Sequence, residues 1–290
     1  MQDRVNRRDA LKGLLFAGAM AMMDPEGVEA TESSLLIQST RVEVHLSTVS
    51  ARTVRITILP VLDGRTQLLE ADGALKDQQG SGPLVLTQPL PPPRSFRSGK
   101  LLVSVASHPL SIRITSDTGR LIQELTFEDD SADLLFNISG GHLLGLGQGG
   151  PQFDRRGHFD SMVSGQGGFQ LGTHGARVPI QFLIGTEGWG LFVHAPLGSF
   201  DLSGKRGRVR AFDKATALPV DVFVTGADQP ADILAEYAGI TGVPEMPPLW
   251  SFGYQQSHRT LDAPEEILAE ARTFREKNLP CDVMIYLGTG

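Results

Sequence analysis

Cysteine is almost absent. Cys281 is the single one in 290 residues, which excludes an internal disulfide framework and any multi-cysteine metal site. Positive charge is in deficit as well: the net charge is −7 and the pI is near 5.5, so the electrostatic footprint of a nucleic-acid binder is not expected. Lys and Arg are scattered, leaving no basic membrane-binding block in the body of the chain. The apolar run 13–23 falls short of the roughly 20 residues that a bilayer span needs, so no stable membrane span is expected. What is present is a globular composition, 40% hydrophobic and 20% charged. The length suits one large domain or two ordinary ones with a sizeable core. Glycine at 33 and proline at 18 favour short strands and turns over a helix bundle.

The first thirty residues read as an address and are set aside from the fold. Arg4, Arg7, Arg8 and Lys12 precede or enter the apolar run, and Val28-Glu29-Ala30 offers small residues for cleavage. Asn6-Arg7-Arg8-Asp9-Ala10-Leu11-Lys12 resembles a bacterial twin-arginine export motif, with Ala10 where Phe is usual. The alternative is an amphipathic helix docked on the body. Export suits the cysteine count, because twin-arginine substrates fold in the reducing cytoplasm before they cross. The expected location is therefore periplasmic or extracellular.

From residue 35 to about 224 the chain reads as successive short strands. Val42-Glu43-Val44-His45-Leu46 and Val54-Arg55-Ile56-Thr57-Ile58 alternate apolar and polar. Further strands are expected at 101–105, 110–115, 121–127, 178–184, 190–194, 209–212 and 220–225. Turn chemistry separates them at Asp63-Gly64, Asp117-Thr118-Gly119, Thr186-Glu187-Gly188 and Ser203-Gly204. Strands this dense, with no long helix between them, indicate an antiparallel sandwich. Pro89-Leu90-Pro91-Pro92-Pro93 reads as an extended connector.

The pattern changes after Thr225. Residues 230–239 suggest a short helix, with Asp228 as its cap and Gly239 near its end. Pro244, Pro247 and Pro248 mark a linker. Beyond it a strand is expected at 249–255. An amphipathic helix follows at 264–277, with Ile267, Leu268, Ala271 and Phe274 on one face. Val283-Met284-Ile285-Tyr286-Leu287 then reads as a strand buried on both faces. Strand, crossover helix and buried strand form a βαβ unit, which belongs in a parallel sheet or barrel. The division expected is 1–30 export signal, 31–242 N-terminal β-sandwich, and 243–290 linker and opening of a barrel.

Several motifs resemble glycoside hydrolase family 31, the α-glucosidase and α-xylosidase group. Gly145-Leu146-Gly147-Gln148 followed by Phe153-Asp154-Arg155-Arg156-Gly157 is similar to the family's Gly-Leu-Gly-Glu … Leu-Asp-Arg-x-Gly signature. Val178-Pro179-Ile180, then Gly188-Trp189-Gly190-Leu191-Phe192-Val193, resembles its Ile-Pro … Gly-Tyr-Gly-Ile-Phe strands. Asp221 to Tyr237, then Thr241-Gly242-Val243-Pro244, resembles the segment that enters the barrel. The nearest match is Met246-Pro247-Pro248-Leu249-Trp250-Ser251-Phe252-Gly253-Tyr254-Gln255-Gln256-Ser257, similar to Pro-Pro-x-Trp-x-Leu-Gly-Phe-x-Gln-Ser. Glu265-Glu266, Phe274-Arg275-Glu276 and Leu279-Pro280-Cys281-Asp282-Val283 continue it. These motifs run in the family's order over about residues 100–290. The alternative is an unrelated sandwich with coincidental motifs.

The resemblance implies a mainly β chain: a galactose-mutarotase-like antiparallel sandwich followed by the first βαβ unit of a truncated TIM (β/α)8 barrel. It also implies retaining hydrolysis of an α-linked glycoside by two carboxylates, with no cofactor and no metal. A whole barrel needs roughly 250 residues, so both catalytic aspartates are expected beyond Gly290, and no carboxylate present takes either role. Two positions depart from the family pattern. The sugar-binding aspartate expected five residues after Asp282 is Leu287, and an aromatic usual about eleven residues after Trp250 is Leu261. Glucosidase specificity is therefore not carried over. His258 and Arg259 end the first barrel strand and are the candidates for substrate binding, with a solvated loop pair as the alternative. Asp154, Arg155 and Arg156 either line a pocket mouth or form a structural turn with an Asp–Arg pair. His142, His158, His174 and His194 lack the i, i+4 spacing of a helical metal pair. Trp189 and Trp250 are expected in the core. The rival function is a non-catalytic carbohydrate-binding or structural module. An incomplete barrel is also expected to be the least stable part and to promote self-association.

Overall fold

The computed structural model of the chain describes residues 34–76, 82–89, 93–128, 133–150, 152–164, 177–195, 198–210, 218–258 and 261–287. The expected export segment, His174, Arg259 and Gly288-Thr289-Gly290 lie outside them.

Strict alternation builds the sandwich. Val42, Val44 and Leu46 of strand Thr40–Thr48 are buried, as are Val54, Ile56 and Ile58 of Thr53–Leu62. The register sets Val44 opposite Ile58 and Leu46 opposite Ile56, so both apolar sets reach one face of the sheet. The same rule sets Val103 against Ile114 and Val105 against Ile112 in the second sheet.

Among the described residues the first sheet has nine strands. Its main path runs Leu36–Ile37, Thr40–Thr48, Thr53–Leu62, Val220–Gly226, Trp189–Val193, Val178–Gly185 and Leu143–Gln148. The second has eight, in the order Phe159–Asp160, Ser199–Asp201, Arg206–Arg210, Leu134–Asn137, Leu121–Phe127, Leu110–Ser116, Leu101–Ser107 and Arg94–Ser98. Every pairing within them is antiparallel. The inner faces share one core, and the edge-on contact of Phe136 with Trp189 at 6.3 Å spans the two sheets. Trp189 is thus a core aromatic, as its strand pattern implied.

Several elements differ from the sequence expectation. The strand expected to open at Val209 begins at Arg206, where Gly207 lies against the Phe136 ring. Strands Leu84–Leu86, Arg94–Ser98 and Leu134–Asn137 carry little apolar–polar contrast and were not expected. Helix α1 runs Pro230–Thr241, two residues past Gly239, because Ile240 is buried on the sheet while Gly239 faces open space. Its N-cap is Gln229 without a side-chain hydrogen bond. Asp228, the expected cap, pairs instead with Arg120 at 2.9 Å. Helix α1 covers a second apolar cluster on the outer face of the first sheet, formed by Phe182, Ile184, Phe192 and Phe223 with its own Ile233 and Ile240.

The barrel opening is present as a βαβ unit. Gln255–His258 pairs in parallel with Val283–Tyr286, and α2 (Pro264–Glu276) connects them. The strand expected over 249–255 is corrected: residues Leu249–Phe252 form a 3-10 turn. Pro248 is extended and its carbonyl accepts from the Ser251 amide at 3.0 Å and hydroxyl at 2.7 Å, which closes the turn before the strand starts. Trp250 is therefore 55% exposed and not a core residue. On α2 the half-buried face is Ile267, Glu270, Ala271 and Phe274, whereas Leu268 is 53% exposed. The strand expected to be buried on both faces is only half-buried, since a two-stranded sheet cannot cover it.

Candidate functional site

In the βαβ unit, register decides what faces what. Gln255 lies beside Val283 and His258 beside Tyr286, so the carboxyl ends of both parallel strands share one edge. Active sites of barrels sit on that edge. The Leu287 amide donates to the His258 carbonyl at 3.1 Å and prolongs the pairing there. His258 is thus at the expected strand end; Arg259 lies outside the described residues, so the two are not brought together. At the other end the Asp282 amide donates to the Tyr254 carbonyl at 2.9 Å. Gly253 lies against the Asp282 carboxylate there, so a Cβ on it would displace that side chain. Among the described residues the Tyr286 hydroxyl and a Glu270 carboxylate oxygen are buried without a hydrogen-bond partner.

The signature in the sandwich is a lock on the backbone. Strand Leu143–Gln148 bulges between Gly145 and Gly147, where Leu146 takes φ 60° with its side chain in the core. Arg155 reaches under this bulge and donates to the carbonyls of Gly145, Gly147 and Gly149 at 3.0, 3.3 and 2.6 Å. Arg156 grips the preceding turn through the carbonyls of Ile138 at 2.7 Å, Gly140 and Gly141. Asp154 accepts from the Leu143 amide at 3.0 Å and the Arg156 amide at 3.1 Å, and bonds His142 at 2.7 Å. Burial works against its charge, yet the bonds from His142, Leu143 and Arg156 hold the carboxyl at about 2. The turn is structural. Its partner for Asp154 is His142, not an arginine side chain: the hydrogen bonds of Arg155 and Arg156 go to backbone carbonyls.

One cluster escaped the sequence. On the outer face of the first sheet, Asp221 is wholly buried and takes a two-pronged bond from Arg55, 2.8 Å at each oxygen, with Thr57 donating at 2.8 Å. His194 lies 2.8 Å from it through Nδ1 and 3.1 Å from Asp72 through Nε2. The bond to Asp221 leads in pushing the His194 pKa up, burial opposes it, and Asp72 adds to the rise. Burial alone would push the Asp221 carboxyl up, but His194 and Arg55 hold it below the usual range. A lone acid in the apolar strand Val220–Gly226 was the available signal. Among the described residues no group of three or more His, Cys, Asp and Glu side chains could hold a metal ion. No described helix is long and apolar enough to cross a membrane.

Comparison with known proteins places these features. The sequence model of the glycosyl hydrolases family 31 TIM-barrel domain matches residues 244–286. Alpha-xylosidase of Saccharolobus solfataricus is 26% identical over 210 residues, covering 65% of this chain and 28% of that protein. Alpha-glucosidase 2 of Bacillus thermoamyloliquefaciens is 40% identical over 68 residues, covering 23% of this chain and 8% of that protein. The chain thus spans less than a third of the length of either relative. Among solved structures, a Flavobacterium johnsoniae GH31 dextranase complexed with isomaltotriose has a TM-score of 0.66 at 18% identity, over 84% of this chain and 31% of that one. A xylosidase from Aspergillus niger has a TM-score of 0.60 at 18% identity, over 87% and 38% respectively. At these identities the two structures speak for the fold.

Proposed function

The chain is a member of glycoside hydrolase family 31, and on that premise we propose that it forms the N-terminal portion of an exported, retaining α-glycoside hydrolase. One observation carries the proposal. The parallel pair Gln255–His258 and Val283–Tyr286, joined by α2, coincides with the matched barrel segment 244–286 and follows a sandwich bearing the family's signature.

Retaining hydrolysis uses one carboxylate to attack the anomeric carbon and another to protonate the leaving oxygen, held about 5 Å apart. Asp221 is committed to Arg55 and His194, and Asp154 to His142 and two amides, so neither is available for such a pair. In this reading the catalytic aspartates belong to later barrel strands encoded beyond Gly290. The chain's own part is to start the barrel and to present its first strand end, with His258 and Arg259, toward the sugar. Leu287 offers no hydrogen-bond acceptor to a sugar hydroxyl, so selectivity departs from that of the glucosidases. A carbohydrate as binding partner is supported by the isomaltotriose in the dextranase relative. The Arg7-Arg8 pair and the short apolar run after it support export to the periplasm or beyond.

The test is to express the reading frame continued past Gly290 and to follow α-glycoside hydrolysis by NMR, which reads the anomer first released. Retention, abolished by substituting either of two barrel aspartates, is the expected result. Purified residues 31–290 alone should not turn over a chromogenic α-glucoside; measurable turnover by them would overturn the assignment. For export, amino-terminal sequencing of secreted protein should begin near Thr31, and a start at Met1 would refute cleavage.

A further inference from the structure

At one end of the sandwich, four turns and the first turn of α1 enclose a cleft of about 430 Å³. We propose that this cleft is a non-catalytic binding site for a neutral sugar, one or two pyranose units of a glycan. The choice of a glycan as the biological ligand rests on the glycosidase reading above; the chemistry rests on the cleft.

Leu101, Ile122 and Ala227 are its apolar lining residues and are all buried, so most of the surface it offers is polar. Its rim carries three cations, Arg52, Lys100 and Arg120, and three carboxylates, Asp117, Asp228 and Asp232. Their formal charges cancel. An anion entering the cleft would meet three carboxylates and a cation three positive groups, so neither is favoured by the net field.

Four of the six rim groups are already oriented. Arg52 pairs with Asp232 at 2.8 Å. Arg120 pairs with Asp228 at 2.9 Å and also donates to the Glu187 carbonyl at 2.8 Å. Lys100 and Asp117 carry no ion pair among the described residues, and the register of Leu101 with Ser116 sets them beside each other at neighbouring strand ends, one strong donor next to one strong acceptor. The Ser116 and Thr118 hydroxyls, 2.8 Å apart, can each donate or accept. A pyranose has the complementary form: a ring of hydroxyls that both donate and accept, around a face of C–H groups. The hydroxyls would meet the charged rim, and the C–H groups the small apolar area left by Leu101, Ile122 and Ala227. The volume lies within the range of about 300–1,000 Å³ usual for ligand pockets.

The experiment uses the full 290-residue chain, labelled with nitrogen-15. It is titrated separately with isomaltotriose, maltotriose and sodium sulfate. Saturable amide shifts from at least one of the two sugars are expected at Lys100, residues 116–120 and residues 226–232, with a Kd on the order of 1 mM. Asp117→Ala and Lys100→Ala alter exposed side chains without ion pairs, so both variants should fold, and each should weaken binding about tenfold. Thr118→Trp should fill the cleft and abolish the shifts. Shifts elsewhere, no saturation well above that concentration with either sugar, or a response to sulfate alone would overturn the proposal. The outcome is separate from that of the enzyme reading. Hydrolysis by the extended protein without shifts here removes only the cleft, and shifts here without hydrolysis remove only the enzyme.

Discussion

Asp221 shows how much one side chain can organise. A buried carboxylate is costly unless its oxygens are satisfied, and here Arg55, Thr57 and His194 satisfy them together. Asp221→Ala would leave Arg55 without its carboxylate and His194 with Asp72 alone, so a loss of about 3 kcal/mol or more is expected in urea unfolding. His194 also ties residue 72 to the sheet. Both ring nitrogens can donate to carboxylates only when the imidazole is protonated, and its pKa is raised. That contribution is complete below the ordinary histidine value of about 6.5 and is lost as the pH rises through the raised one. Asp72→Asn removes one partner charge. The melting temperatures of wild type and D72N should therefore differ most in mildly acidic buffer and converge at alkaline pH, and a constant gap would show that His194 does not titrate there. The sequence placed Asp221 and His194 on strands but not beside each other. The Trp189–Val193 strand meets Val220–Gly226 across the sheet, a pairing set by register and not by any local signal.

Two glycines in different elements give opposite expectations. Gly147 sits at φ 84°, and a Cβ there would overlap the Val178 carbonyl oxygen of the neighbouring strand. Gly147→Ala should therefore lower stability by about 2 kcal/mol or more, as strain and the displaced strand add. Gly239 lies inside α1 with open space around it. Gly239→Ala should stabilise by about 0.5–1 kcal/mol, since it removes only the backbone freedom of the unfolded chain. Chemical denaturation of the two variants checks both signs. The ends of α1 were legible only in part. Pro230 marks its start correctly, but its length was decided by Ile240 docking on the outer sheet face. Likewise the strand expected at 249–255 read as apolar periodicity, whereas the Pro248 carbonyl and Ser251 close a turn that periodicity does not register.

At the scale of the molecule, the sandwich has a shared core while the βαβ unit does not. Ile285 is 36% and Leu287 49% exposed, and α2 has no buried residue. Exposed apolar side chains beside unpaired strand edges favour association with other molecules. Limited proteolysis should cut near residues 243–247 and leave a soluble core of about residues 31–242. Sedimentation should show concentration-dependent association of the longer chain that the trimmed core lacks. Equal hydrogen-exchange protection of residues 255–287 and of the sandwich, in a monomer, would contradict this.

The sequence alone determined the class of those elements whose apolar periodicity is clear. Alternation in Val42-Glu43-Val44 and Val54-Arg55-Ile56 specifies half-buried strands, and the shift to helical spacing after Pro264 specifies α2, because both periods are properties of the local backbone. The motifs from Gly145 to Asp282 likewise pointed to the family before any fold was known. What only the tertiary structure decided is which distant residues meet. That Arg155 holds a glycine bulge, that Asp154 bonds His142, and that Lys100, Asp117 and Asp228 ring one cleft all depend on strand order and turn placement. Those are outcomes of long-range packing, to which neighbouring residues in the chain contribute no pattern.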